Sequence, residues 1–91
     1  MSCELVRIRG DVQGVCFRHY ARREAERLGI SGWVKNVSDG SVEALICGGD
    51  TQLATMREWL ARGPPSAEVL DIRAETYQGA PCPSGSFRIV Y

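Results

Sequence analysis

The stretch Leu5-Val6-Arg7-Ile8-Arg9-Gly10-Asp11-Val12-Gln13-Gly14-Val15-Cys16-Phe17-Arg18 joins a strand-like run to an amphipathic helix, and its reading sets the fold. Leu5 to Arg9 reads as a first strand, and Phe17, Tyr20, Ala21, Ala25 and Leu28 then recur at helical spacing. Between them, Gly10 to Arg18 has the parts of an anion cradle. Glycines let successive backbone N–H groups point into one concavity, and the helix that follows adds the positive end of its dipole. Arg18 falls in the first turn, where its planar fork can grip an oxyanion with two hydrogen bonds. From the residues alone this is either a phosphate or carboxylate site or a plain strand-to-helix turn.

The remaining chain supplies the rest of the architecture. The helix over Phe17 to Leu28 ends at Gly29, a residue suited to a left-handed cap. Ile30 to Val37 and Ser41 to Cys47 read as strands joined by Ser38-Asp39-Gly40, whose Asp-Gly pair signals a hairpin. Val42, Ala44 and Ile46 share one face of the second strand. Gly48-Gly49-Asp50 breaks the sheet, with Asp50 placed to cap a second helix that buries Leu53, Met56 and Leu60 with Trp59 beside them. Gly63-Pro64-Pro65 stops that helix. Val69 to Tyr77 has strand composition, with Leu70, Ile72 and Ala74 on one face. Residues 78–85 read as a loop, and Phe87, Ile89 and Tyr91 alternate in a short last strand. The order β-α-β-β-α-β-β predicts an α+β fold: a ferredoxin-like split βαβ sandwich, with an antiparallel sheet of four to five strands and two helices on one face.

Bulk properties narrow the functional classes. Ninety-one residues fit one domain over 1–91, large enough to bury roughly 60–65% of its unfolded surface. Eleven basic and eleven acidic residues cancel, so no global field is available to hold a nucleic-acid backbone. An anion bound here is expected to be small and locally recognised. The apolar runs are too short to span a membrane, and Met1-Ser2-Cys3-Glu4 lacks the features of a signal peptide, which leaves the cytoplasm as the expected compartment. Cys3, Cys16, Cys47 and Cys82 are scattered and accompany one histidine, so the usual zinc spacings are missing. Free thiols are the default for such a chain.

The segment Gly10-x-Val12-Gln13-Gly14-Val15-x-Phe17-Arg18 resembles the signature of the acylphosphatases, small enzymes that hydrolyse the carboxyl–phosphate anhydride bond. Gly32-Trp33-Val34-Lys35-Asn36, followed by Asp39-Gly40-Ser41-Val42-Glu43, resembles a second segment of that family, in order and at the expected separation. The resemblance runs over essentially the whole chain. It implies the same sandwich fold, an acyl phosphate as small-molecule substrate, and no metal or other cofactor. It implies that Arg18 binds phosphate and Asn36 orients water, with the backbone of Gln13, Gly14, Val15, Cys16, Phe17 and Arg18 as the phosphate-binding loop. Chemistry agrees with so sparse a site. The leaving carboxylate is a weak base with a pKa near ~4–5, so it departs with little help from a general acid. What is left to supply is charge stabilisation at the phosphoryl oxygens and a water placed in line. Read without the family, Arg18 is a surface arginine capping a turn and Asn36 an asparagine near a hairpin.

Several other readings compete. A non-catalytic module could use the same cradle to hold phosphate or carbamoyl phosphate. A cysteine phosphatase starts its cradle with the nucleophile, whereas Cys16 stands two residues before Arg18. A Walker A loop needs Lys-Ser or Lys-Thr where Val15-Cys16 stands. Single-strand RNA binding calls for aromatics on central strands, and Leu5–Arg9 and Ser41–Cys47 have none. His19, directly after Arg18, is expected to point away from the loop. Neither a membrane nor a nucleic-acid partner is called for, and a monomer is expected. In the split arrangement the first strand lies antiparallel to Ser41–Cys47, which brings Cys3 toward Cys47 at the ~5–6 Å Cα separation that permits a disulfide.

Overall fold

Strand-like sequence along five segments and a 3.6-residue apolar stripe along two others resolve into seven elements. The computed structural model describes residues 2–14, 16–78 and 86–90. They form β1 (Ser2–Asp11), α1 (Phe17–Leu28), β2 (Ser31–Asn36), β3 (Val42–Gly48), α2 (Asp50–Arg62), β4 (Glu68–Thr76) and β5 (Phe87–Val90). Val15, Cys82 and Tyr91 lie outside the described residues, as does most of the loop expected over 78–85.

The five strands make one sheet in the order β4-β1-β3-β2-β5. Val6 and Ile8 of β1, Val34 of β2, and Val42, Ala44 and Ile46 of β3 point to one side. There they meet Phe17, Ala21 and Ala25 of α1 and Leu53, Met56 and Leu60 of α2 in a single buried cluster. Both helices therefore cover the same face. Each large aliphatic or aromatic side chain in the cluster contributes about 1.5–3 kcal/mol by leaving water. The predicted α+β, ferredoxin-like sandwich is the fold observed, with one correction to its sheet. β5 runs parallel to β2, pairing Gly32 with Phe87 through Lys35 with Val90, so the sheet is mixed rather than wholly antiparallel. β4 already occupies the outer edge of β1, and the ladder left open is the outer edge of β2.

Local details depart from the sequence reading where a partner strand intervenes. β1 continues through Gly10 and Asp11, which pair with Val69 and Glu68 of β4. The register slips between Arg9, opposite Asp71, and Gly10, opposite Val69, so Leu70 is the extra residue of a β-bulge. That bulge turns Leu70 out to solvent at 75% exposure, while Val69 and Ile72 pack on the core. Gly10 is required there, because at φ 136° a side chain would overlap the Glu68 carbonyl oxygen. Tyr20, placed on the apolar stripe of α1, is 40% exposed. At α2 the cap is Gly49 rather than Asp50, and the Gln52 side chain accepts the Gly49 N–H at 2.7 Å.

Cys3 of β1 stands directly opposite Cys47 of β3, and their sulfurs are bonded. The Cα separation of 4.1 Å is shorter than the sequence reading allowed. Its cause is the pairing type. The Cys3 carbonyl turns toward β4 to accept the Tyr77 N–H at 2.9 Å, so Cys3 and Cys47 form a non-hydrogen-bonded pair, the closer kind. The bond spans 44 residues, and chain entropy assigns a loop of that length about 4 kcal/mol of stabilisation. Reductant should lower the urea midpoint of the wild type and leave that of Cys3→Ser unmoved. Equal midpoints for wild type with and without reductant would count against the bridge.

Candidate active site

A helix leaves its first backbone N–H groups without internal partners, and acidic or hydroxyl side chains usually satisfy them. At the start of α1 neither is present. The cap residue is Cys16, it makes no side-chain capping hydrogen bond, and the first turn contains no acidic residue. The positive end of the helix is thus open to an external anion. The connection from β1 is tight, and Gly14 at φ 76° and Cys16 at φ 60° both adopt left-handed backbone. For Gly14 this conformation carries little penalty. For Cys16 it costs about 1–3 kcal/mol, of the kind that persists where surrounding structure fixes a functional loop.

Gln13 has a side-chain role beside the backbone one expected of it. Its side-chain Nε2 donates to the Val37 carbonyl at 2.7 Å and to the Ser41 carbonyl at 2.9 Å, so it pins the loop to the β2–β3 hairpin. The hairpin is closed by hydrogen bonds of its own. The Val37 N–H donates to the Ser41 carbonyl at 2.8 Å and the Gly40 N–H to the Val37 carbonyl at 3.0 Å. Asp39 accepts the Ser41 N–H at 2.9 Å and the Ser41 hydroxyl at 2.6 Å. The hydroxyl and amide bonds from Ser41 hold the Asp39 carboxyl below its ordinary pKa.

Arg18 is half-buried in the first turn of α1, and its NH1 donates to the Val90 carbonyl of β5 at 3.3 Å. Val90 pairs with Lys35 of β2, the residue before Asn36. The parallel β2–β5 ladder therefore brings Arg18 and Asn36 to one end of the sheet. Both line a cavity of about 340 Å³ together with Gly14, Cys16 and Phe17 of the loop and the apolar Val12 and Ile89. His19 lines it as well, against expectation. Helical side chains lean toward the helix N-terminus, so neighbouring first-turn positions ring the opening. Of the other loop residues named from sequence, Gln13 does not line the cavity, Val15 lies outside the described residues, and Gly10 belongs to β1. Cys16 is exposed with a free thiol. Among the described residues no group of His, Cys, Asp or Glu side chains could hold a metal ion, and no helix is long and apolar enough to cross a membrane.

The family model for acylphosphatase matches residues 5–89. The chain belongs to the acylphosphatase family. A relative named acylphosphatase from Rhizobium meliloti (strain 1021) is 55% identical over 85 residues, covering 93% of this chain and 88% of that one. Among solved structures, an acylphosphatase from Bacillus subtilis superposes with a TM-score of 0.92 at 35% identity, covering both chains completely. Another from Coxiella burnetii gives 0.90 at 39% identity, over 98% of this chain and 92% of that one.

The side-chain tie through Gln13 carries a prediction for this acylphosphatase loop. Gln13→Ala removes two hydrogen bonds to carbonyls that keep their backbone partners, so it should cost about 1–2 kcal/mol of stability. It should also weaken inhibition by inorganic phosphate, because the loop is then no longer pinned. Unfolding curves and phosphate inhibition constants measured on the same variant check both effects.

Proposed function

We infer that this chain hydrolyses acyl phosphates to a carboxylate and inorganic phosphate, with the α1 cradle holding the phosphoryl group and Asn36 holding water. The observation that carries this reading is the shared cavity, in which the uncapped α1 N-terminus, Arg18 and Asn36 face the same space. Backbone N–H groups of Gly14, Val15, Cys16, Phe17 and Arg18, with that of Gln13 at the entrance, supply donors to the phosphoryl oxygens. The Arg18 guanidinium neutralises charge on them, its orientation set by the Val90 carbonyl. The cavity's apolar side, Val12 and Ile89, suits the carbon end of the substrate.

In the reaction a water oxygen forms a bond to phosphorus as the bond from phosphorus to the acyl oxygen breaks. The electron pair leaves with the carboxylate. Asn36 both accepts and donates hydrogen bonds, so it orients the water without acting as a base. A water proton passes to a phosphoryl oxygen of the substrate. This assignment asks nothing chemical of Cys16 or His19 and calls for no metal. The same proposal takes residues 1–91 as one acting domain, a monomer at work in the cytoplasm. The reading as a phosphate-holding module without turnover has no feature in its favour here.

Arg18→Ala should abolish both turnover and phosphate inhibition, and Arg18→Lys should restore little, because an ammonium cannot reproduce a two-pronged grip. Asn36→Ala should lose roughly two to four orders of magnitude in turnover while phosphate still competes. The measurement is phosphate release from an aryl acyl phosphate, and wild-type activity in Arg18→Ala would sink the assignment. Turnover should also persist in chelator, and strong activation by magnesium would point to a different phosphoryl-transfer mechanism.

A further inference from the structure

The face of the sheet turned away from the helices carries a feature that hydrolysis does not use. Val6 and Ile8 point into the core, so Arg7 and Arg9 alternate onto the open face. The register of β1 with β4 sets Arg7 directly opposite Arg73. Like charges in directly opposed cross-strand positions destabilise a sheet. The carboxylates nearby do not relieve this pair fully. Glu43 is divided between Arg7 at 3.1 Å and Lys35 at 3.7 Å. Asp71 reaches Arg9 only at 3.7 Å, with both side chains more than half exposed. Asp39 is engaged by Ser41. Among the described residues Arg73 makes no ion pair, Glu75 two positions along the same strand included.

Beside these guanidinium groups stands the bulged Leu70, a large apolar side chain held out in water. Arg7, Arg9, Arg73 and Leu70 line an open cleft of about 680 Å³ with Asp39, Gly40 and Ser41 of the hairpin, and the Asp39 carboxylate there is already held by Ser41. It shares no lining residue with the cavity of Arg18 and Asn36, and touches the cradle stretch only at Gly10, where that stretch is still part of β1. Its size lies within the usual range for small-molecule sites. We propose that this cleft is a second anion site, separate from the cradle, that binds an organic carboxylate with an apolar body. The carboxylate lies between the Arg9 and Arg73 forks and offsets the Arg7–Arg73 repulsion, and the apolar body covers Leu70.

The test uses the intact protein with inorganic phosphate present in excess to fill the cradle, and benzoate as the probe. Amide NMR should show saturable shifts at Gly40, Ser41 and Leu70. Arg73→Gln should weaken them about tenfold, the loss expected for a charge-assisted hydrogen bond. Arg18→Ala should leave them unchanged. Acetate should bind more weakly than benzoate, and Leu70→Ser should narrow that difference. Without probe, Arg73→Gln should melt no lower than wild type, since it relieves a like-charge pair. Shifts confined to Gly14 and Cys16, shifts with the same midpoint in Arg73→Gln, or no shifts at all would overturn the site. Acetate binding as tightly as benzoate would overturn the apolar-body assignment. Loss of phosphate release in the separate hydrolysis assay bears on the cradle and leaves these outcomes unchanged.

Discussion

Every helix begins with N–H groups that its own carbonyls cannot reach, and the site in this chain depends on how α1 leaves that need unmet. A serine, threonine or aspartate at the cap would satisfy those groups internally and close the cradle. Cys16 stands there instead, in left-handed backbone, with no side-chain hydrogen bond to the first turn. Gln13 carries an amide able to bond backbone groups, but it is committed to the carbonyls of Val37 and Ser41. The unmet donors are thereby preserved for an anion, and the loop presenting them is held by a bond that leaves them untouched.

The same economy runs through the surrounding framework. β1 and β3 are central strands, each flanked on both edges, so the loop leaving β1 starts from the stiffest part of the sheet. Phe17, the first residue of α1, is fully buried and stacks at a tilt on Trp59 of α2, with ring centroids 5.6 Å apart. The helix start is therefore anchored through its apolar side while its polar end faces the cavity. Asn36 enters from the end of β2 immediately before the hairpin that Gln13 grips. One side-chain amide thus sets the spacing between the two halves of the site.

Much of this was legible in the sequence because it is written in local periodicity. Val42, Ala44 and Ile46 alternate, and the run Phe17, Ala21, Ala25 repeats helically. Gly29 and Gly63 end helices as glycine should, and those signals were enough for element order and fold class. The glycine loop and helix start point to Arg18 as an anion-binding candidate from the residues alone, whereas Asn36 is named only through the family resemblance, since nothing beside it distinguishes it from a surface residue. What escaped depends on partners distant in sequence. The exposure of Leu70 comes from a slip against Arg9 and Gly10, and the direction of β5 comes from which sheet edge remained vacant. Likewise, the side-chain bonds of Gln13 reach 24 and 28 residues ahead. His19 was misjudged because sequence spacing gives an angle around the helix axis but not the tilt of side chains at its first turn.

The hydrogen bond from Arg18 to Val90 crosses 72 residues and ends on the shortest strand of the sheet. β5 is an edge strand of four residues, and such elements open at a free energy well below that of the whole fold. When its last residues fray at Val90, the guanidinium loses that carbonyl while Phe87, at the other end of the strand, keeps its place in the core. The arginine proposed to hold phosphate thus takes one of its contacts from a short edge strand. On the proposed role of Arg18, fraying at the end of β5 would cost activity before it cost the fold.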